Sequence, residues 1–164
     1  MPGQIRQRRT DCGLWVFVNE LLEVARRDQL FKKYDFDPDG NSRWQEVFKN
    51  PMDAYKAYDL SKTSVSITKN RYPGPWGDNE ADAFRHAHWS YRMAKELGVN
   101  GAKSFSDAHE RYTKGNFFRR TVMDLHNNQV GRQLYLQYGN TGASATDIVS
   151  GNIGRLITSP YDRP

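Results

Sequence analysis

Asp78 or Asn79 can cap a helix, Gly98 can stop one, and the residues between them include no proline and no other glycine. A helix is therefore expected from about residue 79 to Leu97. Its register is unusual. Asn79, Asp82, His86 and Trp89 recur at i, i+3, i+7 and i+10, so an amide, a carboxylate, an imidazole and an indole share one stripe. An amphipathic helix ordinarily keeps such a stripe apolar or leaves it indifferent.

The rest of the chain also reads as helices. Thr10 or Asp11 caps one that runs to about Lys33, with Leu14, Val18, Leu21, Leu22 and Ala25 at helical spacing. Asp35 to Asn41 is a polar turn holding Pro38 and Gly40. A short helix is expected from about Arg43 to Lys49, and Pro51 opens another through Met52, Ala54, Tyr55 and Tyr58. Ser61 to Trp76 is the least helical stretch: Val65-Ser66-Ile67 alternates, and Tyr72 to Gly77 is a loop by composition. Past Gly98, helices are expected over Ala102–Tyr112 and Phe117–Tyr138, separated by Gly115-Asn116. A weaker one over Ser144–Ile157 is interrupted by Gly151 and Gly154. The fold class is all-α: a single-domain helical bundle over 1–164, with a calcium-type loop at 35–46 inside N-terminal helices 1–60. An irregular loop region falls at about 61–78, and a helical core at 78–140 carries the polar groups.

At 164 residues one core suffices, and the single cysteine, Cys12, excludes an internal disulfide framework. The longest apolar run, Leu14 to Val18, falls far short of the ~20 residues of a membrane span. A net charge of +5 suits nucleic acid or anionic lipid as partner, although its short clusters also suit solvated helix surface. The basic start has no apolar core or cleavage site after it, so no conventional secretion signal is expected.

Residues 35–46 fit D-x-D-x-D-G-x5-E at every demanded position. Calcium wants six to eight hard oxygens, and Asp35, Asp37, Asp39, the Asn41 carbonyl and a bidentate Glu46 supply them, with Gly40 allowing the sharp turn. Ser42 stands where a paired loop usually has an apolar residue, Pro38 is unusual, and the chain has no second such loop. A lone structural calcium site is the expectation; a solvated acidic turn is the alternative.

All four histidines fall in three polar strings: Asn79 to Trp89, Asp107 to Glu110, and Met123 to Gly131. Asp82 with His86 makes a base–orienter pair or part of a divalent metal site, completed from His109, Glu110, Asp124 and His126. Arg85 suits a phosphate group. Asp124 and Asn128 share a face, whereas Asp124 and His126 point about 200° apart, so one of the latter pair reaches a common site. His88 reads as structural, Asp107 as surface, and Phe84, Trp89 and Met93 as core. The chain contains no glycine-rich phosphate loop, G-x-S-x-G, C-x-x-C or H-E-x-x-H.

The strings Asn79-x-x-Asp82-Ala83-Phe84-Arg85-His86-Ala87-x-Trp89, Ala108-His109-Glu110 and Met123-Asp124-Leu125-His126-Asn127-Asn128-x-Val130-Gly131 resemble a domain family found at the C-terminal ends of bacterial polymorphic toxins, including Rhs-type and wall-associated proteins. The resemblance spans about residues 79–131. It implies an antibacterial effector with a cognate immunity protein, delivered by a secretion apparatus or a larger carrier protein. The family's polar strings fall here on Asp82, Arg85, His86, His109, Glu110, Asp124 and His126, with Asn79, Asn127 and Asn128 as substrate-binding candidates. The resulting expectation is a hydrolase acting in the target's periplasm on a phosphorylated envelope lipid, either a phospholipid or a lipid-linked peptidoglycan precursor. Calcium in loop 35–46 and a second divalent cation at the His/Asp cluster are its expected cofactors. The alternatives are a toxin nuclease and a calcium-stabilised binding module without chemistry.

Overall fold

Where each expected helix begins and ends follows from local capping. The computed structural model describes residues 21–75, 77–112 and 118–161. The chain divides into two units, Met1–Asp35 and Phe36–Pro164. In the first, α1 is helical over 21–33, and Leu21, Leu22 and Ala25 of its expected apolar stripe are exposed. The expected cap at Thr10 or Asp11 lies outside the described residues.

The second unit holds α2 (Arg43–Lys49), α3 (Pro51–Arg71), α4 (Glu80–Tyr112), α5 (Phe118–Tyr138), α6 (Ala145–Gly151) and a 3-10 turn, Ile153–Arg155. No strand occurs among the described residues, and the fold class is all-α. A capping box opens α2: the Ser42 hydroxyl accepts from the Gln45 amide, and the Gln45 side chain accepts from the Ser42 amide. Pro51 starts α3 and Ser144 caps α6.

The irregular region does not begin near Ser61; α3 continues to Arg71. Its hydroxyls explain how. Ser61, Thr63 and Thr68 donate to carbonyls of the preceding turn, so these helix-weakening side chains satisfy themselves within the helix. Ala57, Leu60, Ser64 and Thr68 then form a narrow buried face, and that burial overrides local propensity.

Gly98 sets the topology. It interrupts α4 at φ 75°, ψ 164°. In an unbroken helix the rings of His86 and His109 would lie about 35 Å apart, yet their centroids are 6.1 Å apart. The chain therefore reverses at Gly98, and the two halves of α4 lie side by side as a helical hairpin. The first half is the centre of the unit. On one side Phe84, Ala87 and Tyr91 pack with Met123, Val130 and Leu134 of α5 and with Ile148 and Val149 of α6. On the other, Trp89, Met93 and Ala94 pack with Ala57 and Leu60 of α3 and with Ala102 beyond the turn. The Trp89 indole donates to the Ala57 carbonyl at 2.9 Å. Phe84, Trp89 and Met93 are core, as their apolar character implied.

Candidate functional site

The two halves of α4 and the facing side of α5 bring most of the polar strings together. Asn79 accepts from the Asp82 amide at 3.2 Å and donates to the Pro75 carbonyl, so it caps α4 and lies outside the cluster. Asp82, Arg85 and His86 follow on the first turns. Arg85 donates through Nε to Asp82 Oδ1 at 2.9 Å and through Nη2 to His86 Nε2 at 2.8 Å. A guanidinium cannot accept, so Nε2 is the lone-pair nitrogen and Nδ1 carries the proton. That Nδ1 faces Asn128 Oδ1 at 3.3 Å and Glu110 Oε1 at 3.6 Å.

Asn128 is wholly buried and locks this arrangement. Its carbonyl accepts from the Ser90 hydroxyl and from His86, and its amide donates to Glu110 Oε1 at 3.0 Å. Asp124, one turn earlier on α5, places Oδ1 3.4 Å from His86 Nε2. That oxygen and Glu110 Oε2 are buried without a hydrogen-bond partner. Orphaned buried carboxylate oxygens are costly and mark a site built for something else.

The protonation states follow from burial. Burial pushes Asp124 up to about 8, with the Asp82 charge adding to it. Burial and then the Asp124 charge push Glu110 well above the usual carboxylate range. Burial, then the Arg85 cation and His109, pull His86 well below the usual imidazole range. Burial, then Arg85 and Arg43, lower His109 to about 4. Both imidazoles are thus neutral at physiological pH.

Asp82, His86 and Asp124 each offer a ligand atom, all within 4.8 Å of one another, and together they can hold a metal ion. A cation with bonds of about 2.1 Å keeps tetrahedral ligands about 3.4 Å apart. Two carboxylates and one imidazole suit a borderline divalent cation such as zinc, manganese or iron. Fixing Nδ1–H on Asn128 is the support a metal-bound imidazole requires.

Next to the cluster lies a cavity of about 580 Å3 between α2, α3 and α4. Its walls are apolar and aromatic, with Trp44, Tyr55, Tyr58, Trp89 and Phe105 among them, and Arg85 and His109 bring it to the cluster. Sequence reading missed Ser90 and the wall residues Trp44, Tyr55, Tyr58 and Phe105, because the register between α2, α3 and α4 is a tertiary property.

Other expected site residues stand elsewhere. His126 donates through Nε2 to the Arg155 carbonyl at 2.8 Å. Asn127 exchanges two 2.9 Å hydrogen bonds with the Ile157 backbone. Both hold the C-terminal segment rather than joining the cluster. His88 bonds Ser64 at 2.9 Å and Thr146 at 3.3 Å, in keeping with a structural role. Asp107 is not a surface residue; it is buried, pairing Lys103 Nζ at 2.6 Å.

The calcium-type loop spans the division between the units, with Asp35 in the first and the remaining positions in the second. Within the second, Arg111 reaches across the turn. It donates through Nε to the Asp37 carbonyl at 2.5 Å and through Nη1 to the Asn41 carbonyl at 2.9 Å. The Asn41 carbonyl is the backbone oxygen a calcium ion would use. Asp37 Oδ1 accepts from the Asp39 amide. Glu46 is buried and accepts from the Asn41 side chain at 2.7 Å. Asp37, Asp39 and Glu46 form no metal-spaced group among the described residues.

No curated protein and no solved structure matches the chain. One family model matches residues 44–158, which takes in the cavity and the Asp82/His86/Asp124 cluster but begins after Asp35, Asp37, Asp39 and Asn41. With most of its length inside that match, the chain belongs to the family described as Domain of unknown function (DUF6973).

Proposed function

We propose that this protein is a metal-assisted hydrolase of a phosphoryl-bearing amphiphile, with Asp82, His86 and Asp124 as metal ligands. The observation that carries the reading is the adjacency of an apolar cavity to a buried acid–imidazole cluster, with Arg85 at their junction. A divalent cation there would supply Lewis acidity and lower the pKa of water. The residues divide the remaining work. The cavity takes the apolar chain of the substrate. With a cation on Asp82 and His86, the Arg85 guanidinium that now bonds both would be available to the phosphoryl oxygens of the substrate. Asn128 and Glu110 hold the His86 ring in register. His109, neutral and lining the cavity beside Arg85, would shuttle a proton to the leaving oxygen.

The resemblance of the strings at residues 79–131 to polymorphic-toxin domains is the ground for reading an antibacterial role, with an immunity protein as partner, a secretion apparatus or carrier protein for delivery, and the periplasm as workplace. Calcium at residues 35–46 is set aside as a cofactor in this reading, because Arg111 already occupies the loop carbonyls.

The test is hydrolysis of a bacterial envelope lipid extract by purified protein, read as release of water-soluble phosphoryl compounds. Activity is expected to stop with a chelator and return with manganese or zinc. It should fall by about a thousandfold in His86→Ala and Asp124→Ala. Full activity in a folded His86→Ala variant overturns the assignment.

A further inference from the structure

The five exposed large apolar side chains of the second unit's first two helices are concentrated within fifteen residues. Trp44, Phe48, Met52, Tyr55 and Tyr58 are 63%, 81%, 70%, 66% and 54% exposed. The rings of Trp44 and Phe48 lie next to each other, 6.4 Å between centroids and tilted by 35°. Such a patch is costly in water and marks an interaction surface. Three of the five, Trp44, Tyr55 and Tyr58, also line the cavity, so the patch is the rim of the cavity mouth.

We infer that this face docks on an anionic lipid surface, with the cavity opening onto the bilayer. The inference rests on the lipid-substrate reading above and names how that substrate is reached. Two observations choose a membrane over a protein partner. Exposed tryptophan and tyrosine, amphipathic rings that favour the headgroup level, share these helices and their flanks with Arg43, Lys49, Lys56 and Lys62; Lys56 and Lys62 pair with Asp53 and Asp59 at 4.0 and 3.3 Å, and these side chains keep an excess of two positive charges. A protein seated on the rim would close the cavity, whereas a bilayer feeds it without carrying an acyl chain through water. No helix of the described residues is long and apolar enough to cross a membrane, so the contact is peripheral.

Flotation of the full chain with vesicles tests this, in chelator so that no lipid is consumed. The protein is expected to float with equimolar phosphatidylglycerol–phosphatidylcholine vesicles and to partition less onto pure phosphatidylcholine. Phe48→Ser/Met52→Ser, at two highly exposed positions away from the cavity wall, should melt like the parent yet lose roughly tenfold or more of the partitioning. Lys49→Glu/Lys56→Glu should flatten the dependence on phosphatidylglycerol. His86→Ala should float normally. Failure of the parent to float, or unchanged flotation of the serine variant, overturns the inference. So does a parent dimer that the serine variant turns into a monomer, because the occupant is then a second copy. Flotation retained without hydrolysis in any assay leaves the docking standing and removes the hydrolase reading. Hydrolysis of a water-dispersed short-chain substrate, with no flotation, does the reverse.

Discussion

Asp124 is a carboxyl group held where its charge is poorly tolerated. Its folded pKa of about 8 lies above the roughly 3.9 of an unfolded aspartate. A raised folded pKa means that its contribution to stability is full below about pH 4 and is lost as pH rises toward 8. Asn removes that penalty, and it also removes the charge that raises Glu110. In chelator, Asp124→Asn is therefore expected to gain on the parent steadily between pH 4 and 8, reaching about 1–2 kcal/mol, while it loses hydrolysis and metal binding. Thermal melts of both proteins across that range decide the matter. A difference independent of pH would mean that Asp124 is ionised throughout. Sequence could pair Asp82 with His86, because both stand on one helix at i, i+4. It could not give Asn128 its task, because that depends on how α5 faces both halves of α4. Nor could it separate Asn128 from Asn127, whose amide is claimed by Ile157, thirty residues away in sequence.

Between elements, Gly131 of α5 lies directly against the backbone of Ala87 in α4. A Cβ at Gly131 would overlap the Ala87 carbonyl, and backbone cannot move aside as a side-chain tip can. Gly131→Ala is expected to cost about 2–3 kcal/mol by forcing the helices apart, read as a lower Tm. An unchanged Tm would show that α5 slides without loss. The α4 break was legible because a glycine between two helical patterns is a physical stop. The continuation of α3 was not, because the hydroxyl-rich run 61–68 weakens a helix locally and is rescued by packing on α4. The loop at 35–46 shows the opposite failure. Its pattern of acids fits a calcium site, but a pattern cannot report that Arg111, far along the chain, donates to the same carbonyls. Calcium has to displace that guanidinium to reach the Asn41 oxygen. Arg111→Gln should therefore bind calcium roughly tenfold more tightly than the parent by calorimetry. Equal affinities, or none in either protein, would show that these acids do not gather around a cation.

For the whole molecule, the proposed hydrolase raises the question of where a substrate would lie. The cavity, its aromatic rim and the net charge of +5 are compatible with a lipid surface, and a basic protein with exposed aromatic rings also suits a nucleic acid. Compartment separates these readings more cleanly than any single contact. A bacterial host expressing the chain in its cytoplasm has nucleic acid within reach and the periplasmic face of its envelope out of reach. The same chain fused to an export signal meets the reverse. The lipid reading expects growth arrest on export alone, abolished by His86→Ala at equal protein level. Phe48→Ser/Met52→Ser should weaken the arrest while leaving the folded cluster intact. Arrest from the cytoplasm, also lost in His86→Ala, would keep the cluster as a catalytic site and transfer its substrate to nucleic acid. Absence of arrest from folded protein in both compartments would leave the buried Asp82/His86/Asn128/Glu110/Asp124 network as a device that specifies the α4–α5 register, as buried polar networks do elsewhere.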